Sequence, residues 1–456
     1  MLETYRSIVS RDPGTAALIE GGSGLITSRA ELLDRAKELV RELSAAGLRA
    51  GDAIGLQLPN SVDFVAAILA ALELRLVLTP IDRDAPETEV AAILTHFSLR
   101  GLVYRPDRRL HATAISTRTA TRPALPPDAR LMKLTSGSTG RPKGIVTSEA
   151  NLEADCRNIC STMDIRPDDR NLGAIPFSHS YGFSNLVTPL ILQGTSIVIS
   201  NDYLPQSIID LSNRHACTVI PGIPMVFEHL TSVKGGDGDF ATVRTFLSAG
   251  APLPPSTSRR FRERFGIPIH TFYGCSECGG ITYDREGAAV ERGTVGRAME
   301  GVTLAIDPPS QRLTIRSDSV ALGYLHDAAT FQPFENGSFV SDDLVERNAE
   351  GEIILTGRAG DLINTAGKKV NPREVEQIIL QMDGVRQAKV YGQPAGARGE
   401  VVAAAVVANP DITREQVREF CRARLSLHKV PRIVKLIESI PVDERGKVKR
   451  AALAEL

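Results

Sequence analysis

Short apolar runs alternate with helix-period segments through most of the first 270 residues, and this alternation limits the fold more than any other feature. Gly51-Asp-Ala-Ile-Gly-Leu-Gln-Leu58 opens a strand, and Ser61 to Leu74 repeats apolar residues at helical spacing. Leu76-Val-Leu-Thr-Pro80 reads as a buried strand, Glu87–Phe97 as a helix and Gly101–Tyr104 as another strand. The same rhythm returns from Arg170 to Phe272. Before it, residues 15–26 read as a hairpin around a Gly-rich turn, and Ser28 with Glu31 forms a capping-box pattern ahead of a helix. Strand–helix alternation of this kind implies an α/β fold built on open sheets.

Three departures divide the chain. Residues 105–130, rich in Arg, Thr, Ala and Pro, lack sustained periodicity and read as a connector. From about 281 to 358 the pattern is strand-rich with Gly and Asp turns, which predicts a smaller β region. The last hundred residues read as a compact α+β unit, whose helix starts at Asn371-Pro372-Arg-Glu374 with an N-cap and a proline at the first helical position. A chain of 456 residues has room for two or three domains.

Net charge is −1, which implies no bulk attraction to nucleic acid or anionic lipid. The longest apolar runs, such as Phe64–Leu72 and Val401–Ala408, are too short to span a bilayer. Met1-Leu-Glu-Thr-Tyr5 shows no basic start followed by an apolar stretch, and the six cysteines fall into no disulfide framework. A cytoplasmic setting is expected.

The chemistry concentrates in Leu134-Thr-Ser-Gly-Ser-Thr-Gly-Arg-Pro-Lys-Gly144. Thr135, Ser136, Ser138 and Thr139 bring hydroxyls, Gly137 and Gly140 let the backbone approach a ligand, and Lys143 adds a point charge. Such a loop can wrap a polyphosphate. It is not a Walker A loop, because Gly144 and not Ser or Thr follows the lysine.

Four further stretches carry groups suited to nucleotide chemistry. Thr271-Phe-Tyr-Gly-Cys-Ser-Glu277 follows a predicted strand, so Tyr273 and Glu277 fall at its carboxyl end, where open α/β sheets bind ligands. A tyrosine ring can cover a base, and a carboxylate can hold Mg²⁺ against phosphates. Asp343, in Ser341-Asp-Asp343, can accept hydrogen bonds from ribose hydroxyls. Gly357-Arg358-Ala-Gly360-Asp361 leads to Asn364-Thr-Ala-Gly367-Lys-Lys369. Arg445-Gly446-Lys447-Val-Lys-Arg450 can deliver a cation to a phosphate. Each alone also reads as an ordinary solvated turn; their order along the chain sets them apart.

Together these stretches resemble the adenylate-forming superfamily of acyl-CoA synthetases, peptide-synthetase adenylation domains and luciferases, over nearly the whole chain. The resemblance implies that the 135–144 stretch is the phosphate loop and that Tyr273-Gly274-Cys-Ser276-Glu277 carries the Mg²⁺-holding glutamate. It places Ser248-Ala-Gly250-Ala251-Pro252-Leu253 and Thr271-Phe272 beside the adenine, with Thr271 where an asparagine is frequent. It assigns ribose contacts to Asp343 and Arg358, counts Lys369 among the nucleotide-binding residues, and makes Lys447 the catalytic lysine. Asp342 replaces a usual glycine. The implied architecture is an N-terminal ATP- and acid-binding domain, residues 1–359, and a mobile C-terminal domain, residues 360–456. The hinge falls at Gly360, where Asp or Lys is usual.

The implied reaction has two halves. A carboxylic acid and ATP give acyl-AMP and pyrophosphate, and the acyl group then passes to the thiol of coenzyme A. Pro176-Phe-Ser-His-Ser-Tyr-Gly-Phe183 resembles the gate of the acid pocket, which puts His179 near acid or ATP. Ser178 stands where amino-acid-activating domains carry an aspartate, so an ordinary α-amino acid is not expected. The alternatives are an enzyme loading a phosphopantetheine carrier protein in trans, and a catalytically silent acyl- or nucleotide-binding protein. A small acyl or aryl acid is the expected substrate, and a monomer or homodimer the expected state, with neither nucleic acid nor membrane as partner. Cys275-Ser-Glu-Cys278 is a CxxC without a second pair or nearby His pattern, so metal or redox use is not expected of it.

Overall fold

The computed structural model describes the chain except for residues 106–113, 119, 137–141, 201, 234–237, 366–367, 395–399, 442–452 and 454–456, and except for the side chains of Ala114, Ser136 and Lys369. The described residues fall into two compact units. The first holds Met1–Leu304 and Ile315–Phe339, and the second Ala305–Thr314 and Val340–Leu456.

The first unit is built on two large sheets. One is nine-stranded, in the order Arg297–Ala298, Gly279–Tyr283, Ile269–Cys275, Thr245–Ser248, Val219–Gly222, Arg170–Gly173, Ser196–Ile199, Ala16–Glu20 and Ile26–Ser28. Its central strands pair in parallel, as the alternation predicts, while both ends turn antiparallel. The other is eight-stranded, in the order Thr330–Pro333, Gly323–Asp327, Pro142–Ser148, Ala129–Ser136, Val77–Pro80, Ala53–Gln57, Gly101–Tyr104 and Ala114–Thr117.

A shared core joins the sheets. Leu18, Ile197 and Ile199 from the first meet Leu56, Leu78 and Leu131 from the second, with Phe64 to Ala71 and Leu186 to Ile191 between them. The helix Val62–Leu74 is therefore apolar nearly all round, as a helix buried between layers must be. Ser28, Ser61 and Ser148 cap the helices Arg29–Ala45, Val62–Leu74 and Glu149–Met163 with their side-chain oxygens.

In the connector, Ala114–Thr117 adds an edge strand antiparallel to Gly101–Tyr104 that the aperiodic sequence does not announce. The helix Pro224–Ser232 is likewise absent from the periodicity reading. Cys156 and Cys160 are both buried on one helix face, their sulfurs 3.7 Å apart.

In the second unit, strands Val385–Pro394, Glu400–Ala408 and Ile433–Leu436 form a three-stranded sheet. Val375 and Ile379 of the helix Pro372–Ile379 pack onto it with Val417 and Cys421 of Arg414–Arg422. The Asn371 side chain caps the first of these helices by accepting from the Arg373 amide.

Candidate nucleotide and metal site

Glu277 lies in the turn between the strands Ile269–Cys275 and Gly279–Tyr283, at the carboxyl end of the first. The turn is pinned from several sides. The Glu277 carbonyl accepts from the Ala321 amide (2.8 Å), and the Cys278 carbonyl from the Ser319 hydroxyl (2.8 Å). Below it, buried Asp155 accepts from the Gly280 amide (2.9 Å) with one oxygen and from the Ser184 hydroxyl (2.6 Å) with the other. Only glycine fits beside that carboxylate. Gly279 has φ of 72°, and a Cβ there would stand 2.0 Å from Asp155 Oδ1.

So held, the Glu277 carboxylate accepts a 2.8 Å hydrogen bond from the Tyr324 hydroxyl. Tyr324 lies on Gly323–Asp327, which pairs antiparallel with Pro142–Ser148. The Lys143 ammonium, on that neighbouring strand, sits 5.3 Å from the centre of the Tyr324 ring, within cation–π range. Lys143 and Thr135 are direct cross-strand partners, so both sit on strands and not in an irregular loop. Gly137, Ser138, Thr139 and Gly140 lie outside the described residues, as does the Ser136 side chain.

The segment expected beside adenine follows the adjacent parallel strand Thr245–Ser248. Ser248 and Thr271 are register partners, and both hydroxyls are buried without a hydrogen-bond partner among the described residues. Gly250 takes a left-handed φ of 86°, turning the chain away before Ala251 and Pro252. Tyr273 is half-buried at the strand end. Phe272 packs against the Tyr181 ring at 5.7 Å, and the Tyr181 hydroxyl donates to the Leu247 carbonyl.

His179 precedes the helical turn Ser180–Gly182, with its Nε2 3.4 Å from Asp82 Oδ2. The Ser180 and Ser276 hydroxyls share a 2.7 Å bond, which ties the His179 segment to the Glu277 turn. In the same turn, the Cys275 thiol is pushed well above its ordinary pKa, first by its hydrogen bond to the Cys278 thiol and then by burial. Thiols so protonated make poor nucleophiles and poor metal ligands. Among the described residues, no group of three or more His, Cys, Asp or Glu side chains gathers to hold a metal.

The second unit carries a preformed pair of its own. Asp343 and Arg358 are cross-strand partners of the hairpin formed by Ser338–Arg347 and Ile353–Arg358. The Arg358 Nε donates to Asp343 Oδ1 at 2.7 Å, and the Ser341 hydroxyl to Oδ2 at 3.1 Å. Asp342 points the other way and pairs with Arg312 at 2.8 Å. Gly360 falls in a short 3-10 turn, where a Cβ would meet nothing within 4 Å. Lys369 pairs by its backbone with Asn364, and its side chain is outside the described residues. Lys447 is also outside them.

Tyr324, Asp155 and Asp82 join the sites without having been singled out in the sequence. The signal that finds them is strand register and turn contact, which a single sequence does not display.

The chain matches the AMP-binding enzyme family over residues 6–325 and the AMP-binding enzyme C-terminal domain over residues 374–447. It is 27% identical to a feruloyl-CoA synthase of Amycolatopsis over 96% of this chain and 94% of that protein. It is 28% identical to a sulfoacetate–CoA ligase of Cupriavidus necator over 97% of this chain and 94% of that protein. Its fold superposes on ATP-bound MatB from Rhodopseudomonas palustris with a TM-score of 0.85, at 25% identity, covering 100% of this chain and 98% of that one. The chain belongs to the AMP-binding enzyme family, the adenylate-forming superfamily, and stands within it beside the acyl-CoA synthetases.

Proposed function

We propose that this chain is an AMP-forming acid–thiol ligase that activates a small acyl or aryl carboxylic acid with ATP and passes the acyl group to coenzyme A. The observation that carries the reading is the Glu277–Tyr324–Lys143 string at the carboxyl end of a central strand. It sets one carboxylate and one ammonium around a single tyrosine.

A free carboxylate is a poor acyl donor, because its leaving group would be an oxide. Adenylation replaces that group with AMP. The attack brings one anion onto another, so the protein's work is positioning and charge stabilisation. Lys143, with the 135–144 segment, meets the phosphates, and Lys447 bridges the acid and the α-phosphate. Asp343 and Arg358 take the ribose, with Lys369 among the nucleotide-binding residues. The orphaned hydroxyls of Ser248 and Thr271 supply hydrogen-bonding capacity beside Gly250, Ala251, Pro252 and Phe272, which fits a polar base next to Tyr273. His179, held near Asp82, borders the acid.

Glu277 would hold Mg²⁺. A single carboxylate fits that role, because Mg²⁺ is held by one or two carboxylates together with substrate phosphates and water. The ion would neutralise charge on the phosphate oxygens. Among the described residues no helix is long and apolar enough to cross a membrane. We place the enzyme in the cytoplasm as a monomer or homodimer, with a functional boundary at 359/360 and a hinge at Gly360, inside the second compact unit, whose longer segment begins at Val340.

Pyrophosphate release across a panel of carboxylic acids, with and without coenzyme A, tests the reading. Acid-dependent release with thioester formation is expected. Release without a coenzyme A thioester would move the acceptor to a carrier protein, and no release with any acid would leave a silent binder. Gly360→Pro is expected to impair thioester formation more than adenylation, read as separate half-reaction rates. Equal loss of both would remove the hinge from Gly360.

A further inference from the structure

Lys133 has no place in the reading so far. It lies on the strand Ala129–Ser136, two residues before Thr135, and is only 7% exposed. Among the described residues, no hydrogen bond or ion pair holds its ammonium. A buried lysine without a partner is costly, because burial disfavours its charged form.

Strand register shows which way it faces. Lys133 is the cross-strand partner of Ile145, and Ile145 of Tyr324. Cross-strand partners project to the same face of a sheet, and so do residues two apart on one strand. Lys133, Tyr324, Thr135 and Lys143 therefore share one face. The opposite face carries Met132, Val146 and Leu325, which belong to an apolar cluster.

On the shared face the Tyr324 hydroxyl reaches Glu277. Burial pulls the Lys133 ammonium below the ordinary lysine range, and the groups opposing that pull are Asp155, Cys275, Glu277 and Cys278, in that order. Three of the four belong to the turn that presents Glu277. The fourth lies beneath it, with both carboxylate oxygens already accepting hydrogen bonds from Gly280 and Ser184.

We propose that Lys133 is a buried counter-ion to Glu277, weakening the protein's own hold on a divalent cation so that the ion arrives with the nucleotide. The inference rests on the assignment of Glu277 to the metal. A positive charge on the sheet face from which Tyr324 reaches Glu277 competes with the ion by simple repulsion, and the low-dielectric surroundings keep that repulsion from being screened. Phosphates of the nucleotide reverse the balance. Lys133 is thus a positioning residue for charge, and no atom of the reaction need touch it.

The test is Mn²⁺ binding to the full chain without nucleotide, followed by electron paramagnetic resonance. Lys133→Met keeps length and apolar contact while removing the charge, and exchanging a lone buried charge for an apolar side chain is usually tolerated. Lys133→Met is expected to bind Mn²⁺ at least tenfold more tightly than the parent protein. Lys133→Arg should stay near the parent, and Lys133→Met combined with Glu277→Gln should lose the gain. A folded Lys133→Met protein that binds Mn²⁺ no more tightly than the parent overturns the proposal. If that variant also melts at lower temperature, the lysine is instead a structural counter-ion to Asp155. The metal assignment is checked separately with Mn²⁺ and ATP together. If Glu277→Gln binds the Mn²⁺–ATP pair as well as the parent, Glu277 is not the metal residue and the inference falls with it.

Discussion

Two carboxylates at the candidate sites are prepared in opposite ways. Asp343 meets its arginine within one hairpin, fifteen residues apart, and the pair faces solvent on the Arg358 side, which is 59% exposed. Glu277 draws its partner Tyr324 from 47 residues on, and Tyr324 takes Lys143 from a neighbouring strand. Its turn is fixed by Asp155, Ser319 and Ala321, which come from a helix and a loop elsewhere in the same unit. A hairpin pair forms as soon as its hairpin forms. The Glu277 string exists only once two large sheets have packed. The first arrangement suits a group that grips a ligand equally before and during reaction. The second suits a group whose placement matters most where charge develops.

That difference sets the order of mutational effects. Glu277→Gln keeps the size and hydrogen-bonding reach of the side chain but removes its charge. It is expected to lower adenylation by roughly 10²–10³-fold, measured as pyrophosphate release at saturating acid and ATP. Arg358→Ala removes a charge-assisted bond worth about 1.5–3 kcal/mol, so the loss in kcat/KM for ATP is expected at roughly 10–100-fold, most of it in KM. If Arg358→Ala lowers kcat as far as Glu277→Gln does, the two carboxylates share one role and the contrast fails.

Legibility in the sequence follows the same division. The Ser28–Glu31 capping box and the Asn371 cap use residues close in the chain, and each was readable from residue type and spacing; Asp343 and Arg358 were marked only as separate ribose contacts, Arg358 through the family resemblance, and their bond to each other was not foreseen. The α/β alternation was equally open, because parallel strands buried on both faces leave short apolar runs. Tyr324 was hidden. Its strand pairs antiparallel with Pro142–Ser148, nearly 180 residues earlier, and a one-residue change of register would turn its ring to the other face. Asp155 was hidden for a related reason: one acid among the three of the helix Glu149–Met163 gives no sign of the turn it supports. Ala114–Thr117 is an edge strand of modest apolarity, paired on one side to Gly101–Tyr104, so its strand state comes from its neighbour and not from its own pattern.

Tyr324→Phe isolates the hydroxyl within the Glu277 string. The ring that Lys143 faces is kept, and one hydrogen bond to the carboxylate is lost. A bond of about 0.5–1.5 kcal/mol corresponds to a drop of roughly 2–10-fold in adenylation rate. A loss as large as that of Glu277→Gln would mean that the hydroxyl, and not the carboxylate charge, sets the geometry.

The smallest effect is expected at Asp342, although it breaks the family pattern most visibly. Its side chain is 70% exposed and meets Arg312 at 2.8 Å, the kind of surface pair worth about 0–1 kcal/mol. Arg312 keeps a second anchor, because its Nε donates to the Ser341 carbonyl at 2.9 Å. Asp342→Gly therefore removes a screened charge without freeing the arginine or touching the Asp343–Arg358 bond. Glycine within a strand costs up to about 1 kcal/mol of its own, so a small fall in thermal midpoint is expected. The KM for ATP should stay within about twofold of the parent, since a surface change away from the binding groups shifts energies by no more than about 0.5 kcal/mol. A larger shift in KM would place Asp342 on the nucleotide and make three neighbouring residues, not two, responsible for the ribose side.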